Sequence, residues 1–208
     1  MTKVVNYVGV DVSKETLDVA IPKEDGCYVH KKISNNPLGF KSIIKYLPKD
    51  ACIVMEATSS YYMPFAYYLH SQQILLSIVN PLSVNHFCKM RMSRAKTDRK
   101  DAAMIAQYGK SETPRLWQPK ADHLLELQQL QAILDNLTKQ KTSCSNQLEA
   151  FVSSGKMSKD VSKIIKKQIA FYDKEIKKVE IKMVAITEKH HSELYKNLQT
   201  IPGLGKRT

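Results

Sequence analysis

The fold is decided by an apolar run at the start of the chain, Val4-Val5-Asn6-Tyr7-Val8-Gly9-Val10-Asp11. Its valine content predicts a buried strand, extending over residues 3–11 and ending in a carboxylate. Residues 16–21 alternate between apolar and polar side chains, and residues 28–33 do the same. Both patterns predict strands, and the turn-forming residues 22–26 lie between them. These three strands should therefore form an antiparallel meander.

Strands and helices alternate after the meander. Asn36-Pro37 introduces a helix, and a second pair, Asn80-Pro81, closes a strand. The predicted elements are a helix after Asn36-Pro37, a strand Ala51–Met55, a helix Tyr61–Leu69, a strand Ile74–Val79, and helices from about Leu82 to Met90 and Asp98 to Tyr108. This order predicts an α/β fold, a mixed sheet with flanking helices, and it is the order of the ribonuclease H fold.

The second half of the chain has a purely helical pattern. Apolar residues keep three-and-four spacing over 127–151 and again over 165–186, as in a coiled-coil seam. Gly155 is a stop signal and Ser158 a candidate N-cap, so an antiparallel helical hairpin is predicted. We expect the hairpin to form a dimer; packing of the hairpin within one chain is the alternative. The predicted domains are 1–112, a linker 113–120, the hairpin 121–197, and 198–208 as the start of a further domain.

Composition narrows the class of partner. The formal net charge of +12 over 208 residues favours a polyanionic partner. The sequence has no apolar run of the roughly 18 residues that a membrane span needs, and its N-terminus does not follow a signal-peptide pattern, so a cytoplasmic protein is predicted. The four cysteines are scattered and do not form a C-x-x-C pair, which disfavours zinc and disulfides.

Four carboxylates stand where this fold could bring them together. Asp11 and Glu56 end predicted strands, while Asp98 and Asp101 lie three residues apart on a predicted helix and share one face of it. At 4 Å and an effective dielectric of 20, two carboxylates repel by about 4 kcal/mol, so such a group must bind cations or retain protons. All-oxygen ligands suit Mg²⁺, with Mn²⁺ as a second possibility. Taken singly, each acid also has an ordinary reading as a turn, cap or helix-dipole residue.

Two further features bear on function. A basic run precedes and overlaps the acid pair, with the members Lys89, Arg91, Arg94, Lys96, Arg99 and Lys100. Beside acids that bind metal, phosphate contact is the favoured function of this run, and a solvated face is the alternative. Asp18 is assigned to the surface or a turn, His190-His191 to a polar helix end, and Trp117 to an anchor of the linker.

Several motifs together resemble the insertion-sequence-110 transposase family, which includes pilin-gene DNA invertases. The matching pieces are Val8-Gly9-Val10-Asp11-Val12-Ser13-Lys14, Met55-Glu56-Ala57-Thr58-Ser59-Ser60-Tyr61, Asn80-Pro81, Lys96-Thr97-Asp98-Arg99-Lys100-Asp101-Ala102 and Ile201-Pro202-Gly203-Leu204-Gly205. They follow the family's order, with Ser59 at a position where the family often has glycine.

The resemblance implies a RuvC-like domain whose catalytic, metal-binding acids are Asp11, Glu56, Asp98 and Asp101. It also implies a coiled coil used in dimer assembly, a C-terminal domain with a catalytic serine, and both DNA and a guide (bridge) RNA as partners. In the family the Ile-Pro-Gly motif opens the serine domain, whereas here it stands at the end of the sequence. We therefore expect this chain to be an N-terminal portion without the nucleophile.

Three functions follow as hypotheses. The first is the metal- and nucleic-acid-binding part of a transposase that cleaves and exchanges DNA strands. The second is a self-sufficient, structure-selective nuclease similar to Holliday-junction resolvases. The third is a non-catalytic module that binds RNA or DNA and dimerises.

Overall fold

A computed structural model describes residues 6–91 and 98–201, with side chains from residue 101 onward in the second range. The chain divides into two compact units, Met1–Pro119 and Lys120–Thr208. Each unit is described by itself. In the part of the chain that is described, no helix combines the length and apolar character needed to cross a membrane.

The first unit contains a five-stranded mixed sheet in the order β3-β2-β1-β4-β5. Its strands are β1 (Asn6–Val12), β2 (Thr16–Pro22), β3 (Tyr28–Ser34), β4 (Ala51–Glu56) and β5 (Leu75–Val79). The first three strands pair antiparallel, while β4 pairs parallel with both β1 and β5. The predicted meander and the mixed sheet are confirmed.

In the described part of the first unit, four helices accompany the sheet. They are α1 (Pro37–Ile44), α2 (Met63–Ser71), α3 (Pro81–Met90) and α4 (Asp98–Glu112). The side chains of Asn36 and Asn80 accept hydrogen bonds from the backbone N–H groups of Gly39 and Leu82. The predicted helix start at Asn36-Pro37 is confirmed, and Asn80-Pro81, predicted to close a strand, also begins α3.

Two helices differ from the prediction by two residues or more at a boundary. The helix predicted from Tyr61 begins as a 3₁₀ turn, Ser60–Tyr62, and becomes α2 only at Met63, which places Pro64 within the first turn. The last helix continues to Glu112, four residues beyond the predicted end. The predicted role of Trp117 as an anchor of the linker is confirmed. Its backbone N–H donates to the carbonyl of Leu76 at 2.7 Å, and its ring packs edge-on against the ring of Tyr67.

The sheet is covered on both faces. One face carries the main core, which includes Val8, Val10, Met55 and Phe65. The other carries a smaller buried cluster whose members are Val54, Val79, Val84 and Ile105. Because Ile105 belongs to α4 and Val84 to α3, these two helices lie on the second face.

Glycine at position 9 sets how closely α4 lies on β1. A Cβ atom at Gly9 would stand 2.0 Å from the carbonyl oxygen of Ala102 and 2.5 Å from the backbone nitrogen of Ala106. A Cβ at Gly109 would stand 2.6 Å from a methyl group of Val54. The helix backbone therefore rests directly on the strand, without a side chain between them.

The second unit is a helical hairpin formed by α5 (Asp122–Ser153) and α6 (Lys159–Gln199). Lys182 pairs with Glu126 at 2.8 Å and Lys141 with Asp173 at 2.6 Å, so the two helices run antiparallel as predicted. Gly155 adopts a φ of +73° between them. The coiled-coil character of the seam stays a prediction.

The histidine pair does not end its helix. α6 runs past His190 and His191, although the backbone at His191 leaves helical geometry with φ −141° and ψ 37°. His123 of α5 stacks on His190 with ring centroids 4.2 Å apart, and its Nε2 lies 3.0 Å from Nε2 of His191. The position predicted to be a helix end is therefore a kink within α6, at which His123, His190 and His191 contact one another.

Replacing Gly9 by Ala should lower the free energy of unfolding by about 3 kcal/mol, since the added methyl meets helix backbone that cannot rotate away. Urea denaturation of purified chains measures the effect. Gly26→Ala is the control, because at φ +82° it carries backbone strain but meets nothing within 4 Å. Equal losses in the two variants would contradict the close contact between helix and strand.

Candidate active site

Two of the predicted acids lie side by side at the edge of the sheet. The parallel register between β1 and β4 pairs Gly9 with Val54 and Val10 with Met55. The next pair along is Asp11 and Glu56, near the carboxyl ends of both strands. Since neighbouring strands lie about 4.8 Å apart, these two side chains share one edge of the sheet.

Both side chains point to the face that α4 covers. Side chains alternate between faces along a strand, so Asp11 shares a face with Gly9, and Glu56 with Val54. Gly9 lies under the backbone of Ala102, and Val54 lies next to Gly109. The strand-end acids are therefore on the same side of the sheet as the helix that carries the other two.

The start of α4 lies at the strand end that carries Asp11. The backbone of Ala102 lies over Gly9. Gly109, further along the helix, lies against the side chains of Tyr7 and Val54. The helix thus runs opposite to β1, with its first turns toward Asp11. Asp101 directly precedes Ala102 and comes to this end of the sheet.

Two of the acids affect the pKa of the Cys88 thiol in α3. Burial raises the pKa of this thiol, and the negative charges of Asp101 and Glu56 raise it further. Both carboxylates therefore lie close enough to one side chain to disfavour its thiolate. Asp101 and Glu56, 45 positions apart in the chain, thus both act on one thiol of α3.

The fourth predicted acid is described only through its backbone. Asp98 is the first residue of α4, three positions before Asp101, and its side chain is outside the described set. Among the side chains that are described, no three from His, Cys, Asp and Glu form a group able to hold a metal ion. Asp11, Glu56 and Asp101 are all half-buried and each has an interaction with another group.

The donor chemistry fits a hard divalent cation. The candidate residues are carboxylates, whose oxygens suit Mg²⁺ or Mn²⁺. Their half-buried position would strengthen a charge interaction relative to open water. The assignment of these four acids as a metal site nonetheless stays a prediction.

Sequence reasoning misplaced one acid. Asp18, assigned above to the surface or a turn, lies in the middle of β2, directly opposite Asp11 in the antiparallel register. Its carboxylate accepts from the Lys32 ammonium at 3.1 Å. The predicted strand over residues 16–21 already indicated this position of Asp18. An acid inside a strand faces one side of a sheet and needs a partner there.

The basic run is described at its first two members. Lys89 lies in the last turn of α3, one residue after Cys88, and Arg91 is the C-cap of this helix, with its guanidinium 4.9 Å from the ring centre of Phe87. Both are exposed. The side chains of Arg94, Lys96, Arg99 and Lys100 lie outside the described residues, as does the motif at 202–205.

The strand order β3-β2-β1-β4-β5 with helices on both faces is that of the ribonuclease H fold. The chain matches the IS110 DEDD family, described as transposase, over residues 8–155. It belongs to this transposase family, and the expectation drawn from the sequence motifs is confirmed.

The pilin gene-inverting proteins of Moraxella bovis and Moraxella lacunata are each 33% identical to this chain over 127 residues. The match covers 58% of this chain and 39% of each relative, so the chain spans well under half of the curated relatives it matches. Among solved structures, T. thermophilus RuvC in complex with a Holliday junction substrate is similar at 9% identity, with a TM-score of 0.40 over 54% of this chain and 100% of that chain.

Replacing Glu56 by Gln, or Asp101 by Asn, should lower the pKa of Cys88, because each change removes a negative charge that disfavours the thiolate. A larger thiolate fraction at pH 8 makes alkylation by iodoacetamide faster. Mass spectrometry in EDTA buffer measures the rate at Cys88, with exposed Cys27 as the internal control. An unchanged rate ratio between the two cysteines in both variants would place the acids away from α3.

Proposed function

We propose that this chain is the metal- and nucleic-acid-binding part of an enzyme that cleaves and exchanges DNA strands in transposition. Membership of the transposase family supports the reaction class. The observation that carries the proposal is the placement of Asp11 beside Glu56 on the face covered by α4, with Asp101 near Glu56.

Asp11, Glu56, Asp98 and Asp101 would hold Mg²⁺, or Mn²⁺ in its place. When bound, such an ion supplies Lewis-acid stabilisation of charge on a phosphodiester that is being cleaved. The role of the chain itself is to fix the carboxylates. Asp11 and Glu56 lie on paired strands. The contact between Gly9 of β1 and the backbone of α4 fixes the height of Asp101 above the sheet.

The cations beside the acids would hold the nucleic-acid backbone. Lys89 and Arg91 are one and three residues from Cys88, and the charges of Asp101 and Glu56 raise the pKa of the Cys88 thiol. Exposed cations that follow such a position in the chain are suited to bind phosphate oxygens. We extend this role to Arg94, Lys96, Arg99 and Lys100 from their place in the sequence alone.

Asp11→Asn and Glu56→Gln should each weaken Mn²⁺ binding by about tenfold or more, since each removes a charged ligand oxygen. Titration of the purified chain followed by electron paramagnetic resonance of free Mn²⁺ gives the affinity. Glu24→Gln removes an equal charge from an exposed turn and should leave the affinity unchanged. If the unmodified chain does not bind Mn²⁺, the non-catalytic binding module becomes the better description.

Incubation of the same chain with Mg²⁺ and a four-way DNA junction separates the two enzymatic hypotheses. A transposase portion that needs further protein for the exchange leaves the junction intact. Specific cleavage that is lost in Asp11→Asn would instead establish a self-sufficient nuclease.

Two partners remain part of the proposal. A guide RNA rests on the family resemblance. A second copy of the chain is supported by the hairpin, which exposes large apolar side chains on α6, among them Ile164, Phe171 and Ile181 at 59%, 57% and 69%. Apolar exposure repeated along one helix is typical of a surface that associates.

Replacing Phe171 and Ile181 together by Glu should convert a dimer to a monomer, because charges at the centre of an apolar interface stay unpaired. Light scattering coupled to gel filtration reads the mass. Leu38→Glu is the matched control, as Leu38 is 81% exposed in the first unit. An unmodified chain with the mass of one copy would remove the dimer from the proposal.

A further inference from the structure

Four charged residues form one row across four strands. The registers pair Asp11 with Asp18 and Asp18 with Lys32, and Glu56 lies beside Asp11 on β4. Residues directly opposite each other project from the same face of a sheet. The row Glu56–Asp11–Asp18–Lys32 therefore lies on the face that α4 covers, and it extends the candidate site toward β3.

Asp18 and Lys32 differ in exposure. The Asp18 side chain is 14% exposed, whereas that of Lys32 is 55% exposed, and their charged atoms are 3.1 Å apart. More than half of the Lys32 side chain is therefore in contact with solvent while its ammonium pairs with Asp18. Asp18 thus holds the ammonium in one place while solvent, or a ligand, can still reach it.

Cations then stand at both ends of the row. Lys89 and Arg91 follow Cys88 at the end that carries Glu56, and Lys32 stands at the other end, three strand spacings or about 14 Å away. A nucleic-acid strand laid along the row would meet positive charge on either side of the acids.

We propose that Lys32, held by Asp18, binds a phosphate of the nucleic-acid strand that occupies the acid site. The inference rests on the proposed function and names a contact on the β3 side of it. Asp18 is a positioning residue, since it acts through Lys32.

The neighbouring lysine supplies a matched control. Lys31 is the next residue on the same strand but projects to the opposite face, where its ammonium lies 3.7 Å from the ring centre of Tyr46. Lys32→Gln and Lys31→Gln remove the same charge from positions one residue apart. Only the first removes it from the row.

Binding of a fluorescent four-way junction, measured in EDTA at several salt concentrations, tests the contact. Lys32→Gln should reduce the slope of log affinity against log salt by about 0.9, the value for one phosphate contact. Lys31→Gln should keep the slope of the unmodified chain, and Lys32→Arg should restore it. Equal slopes for the two glutamine variants would overturn the proposal.

Mn²⁺ affinity gives a second readout that is independent of DNA. A unit charge about 10 Å from a divalent ion in water changes its affinity roughly fourfold, so Lys32→Gln should bind Mn²⁺ about that much more tightly than the unmodified chain, whereas Lys31→Gln should show a smaller gain because its ammonium lies on the opposite face. Identical affinities would place Lys32 away from the acids and overturn the inference. Failure of the unmodified chain to bind Mn²⁺ would instead count against the proposed function, while the slope measurement still decides the role of Lys32.

Discussion

The candidate site depends on the direct contact between the backbone of α4 and β1. Only glycine at position 9 permits it, because a Cβ there would stand 2.0 Å from the Ala102 carbonyl oxygen. The contact fixes the height of the helix over the sheet, and with it the level of Asp101 relative to Asp11. A side chain at this position would separate the two elements and pull the acids apart.

A group of acids carries an electrostatic cost that the surroundings must offset. Asp11, Asp18 and Glu56 lie on adjacent strands at a common edge, where repulsion opposes folding. Lys32 offsets part of it through its ion pair with Asp18.

The two units differ in how completely they bury their apolar residues. The first covers both faces of its sheet and buries Val8, Val10, Ile53 and Val54 completely. In the described residues of the second, two helices pack together, so each buries one stripe and leaves apolar residues such as Ile181 in contact with solvent. A hairpin of this kind is suited to association, whereas the sheet unit is suited to holding a fixed site.

The sequence by itself determined the order of strands and helices, the helix start at Asn36-Pro37 and the family, since these depend on local periodicity, capping chemistry and short motifs. It also placed Asp11 and Glu56 at strand ends. Only the tertiary structure decided that Asp18 stands opposite Asp11 and that Cys88 lies near two acids, because strand register and helix height are set by contacts between distant segments. The histidine contacts that accompany the kink in α6 were likewise invisible in the sequence, as they need the antiparallel register of two long helices.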